Sequence, residues 1–341
     1  MAAGSPYSAP GGQRRIPALD GLRGLCAVAV MLYHLTWFVP AMLPGTPGLP
    51  HGIWWGCYGV QVFFAISGFV ILGTLDRTRD LGTFARGRAR RLLPTYWLAM
   101  LTTFTVAAVF GPDHLRVGGR DLLANVVPVQ SLTRVAMVDG VYWSLNVEIA
   151  FYACIAVAWR LGALRRVEIV VLAWLALKWL WWACGWPGSG LGLALVVDHI
   201  PYFAIGMLAY RIHAGQRSIA EQAPILACVV ATVLVIDPIH AHWLCAGLIA
   251  GFVALAKGQL AWLGWWPLAW LGAISYPLYL VHAVIGYTII AQLERHGMTP
   301  LAASGIAVVG VVVLAAALSR LVDGLMAARP HASRPPLAIA Q

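Results

Sequence analysis

Long apolar runs separated by short polar breaks dominate the chain. Ten of them, near residues 19–39, 54–75, 92–111, 141–159, 168–184, 191–211, 223–237, 239–256, 266–291 and 301–322, approach the about 17 to 25 mostly apolar residues that carry a helix across a bilayer. The pattern predicts an all-α integral membrane protein of about ten transmembrane helices. The seventh run is the shortest, and Asp237–Pro238 divides it from the eighth. Residues 1–15 are small, polar and rich in Pro and Gly, which predicts a disordered tail. Residues 328–341 read as a second short tail, leaving 16–327 as one transmembrane domain without an internal repeat or a second soluble domain.

Composition agrees with this pattern. Hydrophobic residues make up 60% of 341 positions and charged ones 11%, with 16 Trp, more apolar surface than one soluble core needs. Charge placement orients the bundle, because cytoplasmic loops are enriched in Lys and Arg. With the N-terminus inside, 17 of the 23 basic residues fall in inside segments. Only Arg116, Arg120, Arg134 and Arg295 fall outside, and Arg23 and Lys178 lie within spans. Both termini are therefore expected in the cytoplasm. The net charge of +10 is scattered over successive loops and calls for no nucleic-acid partner. A cleaved signal peptide is disfavoured, because the first apolar run carries Arg23 and His34 and lacks a small-residue cleavage pattern. The six cysteines show no metal-ligand spacing and read as small hydrophobes between helices, with no metal site expected. Cys57 and Cys184 both map near the outer face, where a disulfide is conceivable.

Polar groups inside apolar spans are costly and mark candidate chemistry. Arg23 and His34 are eleven positions apart in the first span, which on an ideal helix puts them within about 20° of one face and about 16 Å apart along the axis. Glu148 in the fourth span and His34 lie about 10 and 8 Å below the outer boundary at helical rise. Matched depth predicts a carboxylate bonded to one imidazole nitrogen, raising the basicity of the other for work on a hydroxyl; two buried groups bonding neighbouring helices are the plainer alternative. Between Arg77 and Arg91 six arginines crowd fifteen residues. They pin the topology or clamp a phosphate; Arg88 and Arg91 would share a helix face, with Arg86 beside them. Ser67 and Gly68 in the second span allow close helix packing or close approach of a ligand. Ser275, Tyr276, Tyr279 and His282 surround Pro277 in the ninth span and are expected to line a cavity, as are Trp143 and Ser144 at the head of the fourth. Asp198 and His199 shape an acceptor site or pair with each other. Lys178 snorkels or finds a carboxylate, and His240 and His242 read as interfacial.

Six segments, RIPALDGLRGLCAVAVMLYH, GVQVFFAISGFVI, RARRLLPTYW, WSLNVEIAFY, PYFAIGMLAY and LGAISYPLYLVH, taken in this order resemble the acyltransferase-3 family of multi-spanning membrane acyltransferases. The resemblance runs from about residue 14 to residue 285. It implies a ten-helix domain in a bacterial inner membrane that takes acyl, chiefly acetyl, groups from cytoplasmic acyl-CoA. The implied acceptor is a hydroxyl of a surface carbohydrate or a similar compound. On this sequence the family's arginine–histidine motif falls on Arg23 and His34, its paired arginines on Arg88 and Arg91, and its fourth-helix acid on Glu148. The last helix departs from the family's Glu-Pro ending with Asp323, which receives no role. No extra helix or hydrolase-like domain follows residue 330, so the chain resembles the standalone form. The main alternative from another class is a proton-coupled transporter or flippase of a glycan or lipid-linked substrate using His34, Glu148 and Asp198. It predicts inverted repeats and broken helices in matching halves, which the sequence lacks.

Overall fold

A computed structural model of the protein describes residues 16–133, 135–186 and 190–327; the expected tails at 1–15 and 328–341 lie outside them. Among the described residues there is no strand, and ten long helices follow one another. They are α1 (Pro17–Leu32), α2 (Gly59–Leu75), α3 (Leu81–Phe110), α4 (Trp143–Arg160), α5 (Val167–Ala183), α6 (Ile200–His213), α7 (Ile219–Ile236), α8 (Ile239–Ala256), α9 (Trp266–Arg295) and α10 (Pro300–Ala327). Their boundaries have local causes. Pro17 opens α1, where its missing N–H costs nothing. The Asp80 carboxylate caps α3 by accepting the Thr83 N–H at 2.8 Å. Ser218 and Glu221 form a reciprocal capping box on α7. That helix stops at Asp237, the residue before Pro238, as steric conflict with proline demands.

Eight of the described helical segments are long and apolar enough to cross a membrane. The two expected spans that fall short are α5, with 17 residues, and α6, with 14. At helical rise α6 covers about 21 Å against a hydrocarbon core of about 30 Å. The run at 191–211 was expected to be one helix. Instead Val196 adopts φ 50°, a conformation that a β-branched residue rarely takes, and divides Gly190–Ala194 from the turn Val197–His199 and α6.

Glycines set the closest helix approaches. On α1 and α9, which run parallel, a Cβ on Gly24 would lie 2.7 Å from Gly272 N, and one on Gly286 would lie 2.4 Å from the Leu35 side chain. On α2 and α6 a Cβ on Gly206 would lie 1.8 Å from the Ala65 carbonyl oxygen, and one on Gly68 2.2 Å from that of Phe203. Small residues let backbones meet where lipid offers no hydrophobic drive to associate. Lys178, 3% exposed on α5, reaches the Asp237 carboxylate at 2.8 Å, so the buried cation does find an acid. His242 bonds the Asp237 carbonyl at 3.0 Å. All six cysteines are free, Cys57 and Cys184 included.

Candidate active site

Arg86, Arg88, Arg90 and Arg91 of the arginine cluster fall in the first turns of α3, so one helix face selects among them. Arg88 and Arg91, three residues apart, line a cavity of about 320 Å³ enclosed by α1, α2, α3, α4, α9 and α10. Arg88 donates to Thr74 Oγ1 at 3.3 Å, and its guanidinium carbon stands 5.9 Å from the Phe84 ring centroid. Arg86, expected beside them, is exposed and turned away: its Nε donates to the Gly82 carbonyl, and it is not in the cavity wall. Only residues three or four apart share a face, and Arg86 is two from Arg88.

Glu148 brings one of the cavity's carboxylates to its wall. One of its oxygens accepts from Ser67 of α2 and from Tyr152, one turn along α4, at 2.5 Å for the tyrosine. Arg23 also lines this wall, within the field of Glu148, Asp20 and Arg91. The Nε atoms of Arg23 and Arg88 are buried without a hydrogen-bond partner. Such orphaned donors are rare in native interiors and mark a place where a ligand acceptor belongs. Pro277, in the same wall, has no N–H to give the Ala273 carbonyl one turn back. The cavity is elongated: its lining on α4 runs from Ser144 to Tyr152, and on α9 from Gly272 to Leu280, about 12 Å each at helical rise.

Tyr279 closes the far end. Its hydroxyl is 2.6 Å from Ser144 Oγ and donates to the Val141 carbonyl at 3.1 Å, while its ring centroid is 5.6 Å from that of His282. His282 in turn meets His34, with Nε2 3.1 Å from His34 Nδ1. Neither histidine lines the cavity. His34 sits in a π-helical turn, Tyr33–Trp37, that extends α1. In that turn the Phe38 N–H reaches the Tyr33 carbonyl five residues back. His34 Nδ1 lies 2.9 Å from the Val30 carbonyl. The rings of Tyr33, Phe38 and Tyr287 surround it. Tyr287 is 1% exposed, and its hydroxyl has no hydrogen-bond partner.

Arg23, Ser67, Arg88, Arg91, Ser144, Glu148, Ser275, Tyr276 and Tyr279 thus meet in one cavity. His34 and His282 form a pair behind it. Several expectations are corrected, among them that for His282, which was expected to line the cavity and stands behind it with His34. Glu148 is bonded to Ser67 and Tyr152, and the polar partners of His34 are the Val30 carbonyl and His282, so the expected bond between carboxylate and imidazole is not formed. Arg23 and His34 likewise serve different places, one the cavity wall and the other the histidine pair. Trp143 and Asp198 are outside the cavity wall: Trp143 packs on His199 at 5.7 Å between centroids, and Asp198 is exposed on the short turn before α6. Asp323, without a role in the sequence, joins Ser319 in the cavity wall.

Tyr152, Tyr287 and Asp139 also belong to this region. The spacing of four between Glu148 and Tyr152 was a readable signal. Nothing in sequence pointed to Tyr287 or Asp139. Asp139 is buried, and its two oxygens accept the N–H groups of Val141 and Val284, at 3.2 and 3.0 Å. Among the described residues no cluster of side chains could hold a metal ion.

The chain is similar to several known acyltransferases. A putative acetyltransferase of Acidianus two-tailed virus is 28% identical over 155 residues, 46% of this chain and 44% of the relative. The acyltransferase MdmB of Streptomyces mycarofaciens is 30% identical over 200 residues, 55% of this chain and 46% of that protein. The O-acetyltransferase OatA of Staphylococcus aureus is 28% identical over 156 residues, 41% of this chain and 24% of OatA. The chain thus spans less than half the length of these curated relatives. No solved structure matches. The acyltransferase-3 family, described as an acyltransferase domain, matches residues 16–320, and the chain belongs to that family of membrane acyltransferases.

Proposed function

We propose that the protein is a membrane-bound O-acyltransferase that moves an acetyl or similar acyl group from acyl-CoA to a hydroxyl of a carbohydrate or related acceptor. The observation that carries this reading is the elongated cavity, with Arg88 and Arg91 at one end and Tyr279, backed by the His34–His282 pair, at the other. A phosphorylated carrier with a long, thin arm matches that shape: paired guanidinium groups suit its phosphates, and the orphaned N–H groups of Arg23 and Arg88 supply further donors. In this reading the arginine-rich end faces the cytoplasm, in keeping with the excess of basic residues in its loops.

The acceptor enters on the His34 side, where Tyr33 and Phe38 flank the ring and the imidazole is half-buried. His34 takes the proton of the acceptor hydroxyl as its oxygen attacks the thioester carbonyl. The carbon–sulfur bond then breaks, and the CoA thiolate leaves with the proton that His34 returns. Acyl transfer through His34 itself follows the same balance in two steps. Glu148, bonded to Ser67 and Tyr152, stands beside the cavity's arginines and holds α2 against α4. The acetyl group is favoured because two of the relatives are named as acetyltransferases.

Purified protein, labelled acetyl-CoA and a panel of hydroxylated acceptors test this. Acceptor-dependent CoA release should occur and be abolished in His34→Ala that remains folded in the membrane. Substantial residual transfer in that variant would remove His34 from the chemistry.

A further inference from the structure

Both ring nitrogens of His282 are committed. Nδ1 lies 2.8 Å from the Tyr279 carbonyl and 3.2 Å from that of Leu278. A carbonyl only accepts, so Nδ1 carries the hydrogen. His34 Nδ1 faces the Val30 carbonyl in the same way and therefore carries a hydrogen as well. The single hydrogen on His34 Nδ1 is therefore shared, in a three-centre bond, between the Val30 carbonyl at 2.9 Å and His282 Nε2 at 3.1 Å, and His282 Nε2 presents its lone pair. The remaining nitrogen of His34, Nε2, has no hydrogen.

The turn that carries His282 is fixed independently of the pair. The Tyr142 hydroxyl donates to the Leu280 carbonyl at 3.2 Å, and the Val284 N–H, which an undisturbed helix would give to that same carbonyl, donates to Asp139 at 3.0 Å. Polar links from outside the pair thus tie residues 279–284 in place, since the Tyr279 hydroxyl is also bonded to Ser144 and Val141. His282 itself is fully buried.

We infer that His282 is the positioning residue of His34: it accepts the His34 Nδ1 hydrogen, which leaves His34 Nε2 as the atom that takes the proton of the acceptor hydroxyl. This rests on the function proposed above. When Nε2 gains that proton, the positive charge of the imidazolium spreads toward the His282 lone pair through the Nδ1–H bond. When the thiolate leaves, Nε2 returns the proton and the pair is as it began. In this way a neutral imidazole does the orienting work that a carboxylate does in a serine-type triad, and no second charge enters the membrane interior.

Three substitutions and one spectrum test the assignment. His282→Leu keeps the bulk and removes the acceptor; His282→Gln places an amide oxygen near the former Nε2. In His282→Leu, kcat should fall about 10- to 100-fold, the range of a hydrogen bond to a charged group, with the KM for acetyl-CoA unchanged. His282→Gln should recover most of the loss. Nitrogen-15 NMR of histidine-labelled protein in liposomes should show His34 protonated at Nδ1, with a coupling to His282 Nε2. His34→Ala should remove that coupling and supplies the assignment.

A folded His282→Leu with wild-type kcat, a folded His282→Gln as impaired as the leucine variant, or a His34 without hydrogen on Nδ1 would each overturn the inference while leaving acyl transfer intact. A wild-type protein with the coupling but no acceptor-dependent CoA release would instead remove the enzymatic reading, and the positioning role with it.

Discussion

Replacing Gly206 by Ala should damage both stability and turnover. A Cβ at this position would stand 1.8 Å from the Ala65 carbonyl oxygen and 2.8 Å from Phe69 N, both of them backbone atoms of α2 that no side-chain rotation can move aside. Restoring an ordinary carbon–oxygen contact of about 3.3 Å requires α6 and α2 to part by about 1.5 Å. Overpacking of this kind costs about 1–3 kcal/mol, and the upper end applies here because two helices must move as bodies. The displaced wall carries Ser67, so its bond to Glu148 stretches with it. A misplacement of about 1 Å at a reacting centre lowers rate about 100-fold, and kcat should fall toward that. Gly247→Ala and Gly251→Ala on α8 are the matched controls, since nothing lies within 4 Å of a Cβ at either; alanine there should leave stability unchanged or raise it. Tryptophan fluorescence during thermal unfolding in detergent, together with acetyl-CoA turnover, measures both effects. A Gly206→Ala protein with wild-type Tm and kcat, or equal losses in Gly247→Ala, would refute the argument from close backbone approach.

Two further outcomes are expected. Lys178→Met strands the Asp237 carboxylate in a buried site and should cost about 3–5 kcal/mol, whereas the double variant Lys178→Met/Asp237→Leu should regain most of it. Thermal unfolding of the two side by side decides this, and equal losses would make the pair irrelevant to stability. Arg88→Gln should raise the KM for acetyl-CoA about 10- to 100-fold with kcat nearly kept, while Arg86→Gln on the exposed face should change neither; donor titrations that show both unchanged would return these arginines to a purely topological role.

What the sequence reveals about this protein is mostly axial. Hydropathy marks how far along the membrane normal each residue sits, so the ten helical segments and the break at Asp237–Pro238 were legible. Depth says nothing of rotation about a helix axis. Hydropathy alone puts Glu148 and His34 at similar depth, yet in the structure Glu148 meets Ser67 and Tyr152, and His34 meets His282. The partner of Glu148 four residues away could be read from helical spacing. Ser67 is 81 positions from it, and His282 is 248 from His34, separations at which only tertiary packing decides. The division at Val196 was also hidden, because apolar residues flank it on both sides and nothing in its residue type announces a positive φ. Paired arginines followed the helical rule and separated from Arg86 by their spacing alone.

The pairing of His34 with His282 has a consequence for how the protein is made. Helices α1 and α9 lie in parallel and touch through Gly24 and Gly272, yet α9 is the ninth of the ten to leave the ribosome. Until it enters the bilayer, α1 waits with a polar residue and a backbone-thin glycine face uncovered, and the cavity lacks one wall. A nascent chain stopped before residue 266 can therefore neither enclose the cavity nor complete the histidine pair. Closure of the cavity thus waits for the helix that begins at residue 266. The same delay leaves α1 open to capture by insertion factors or by degradation, so abundance in the cell should respond most sharply to changes along this one seam.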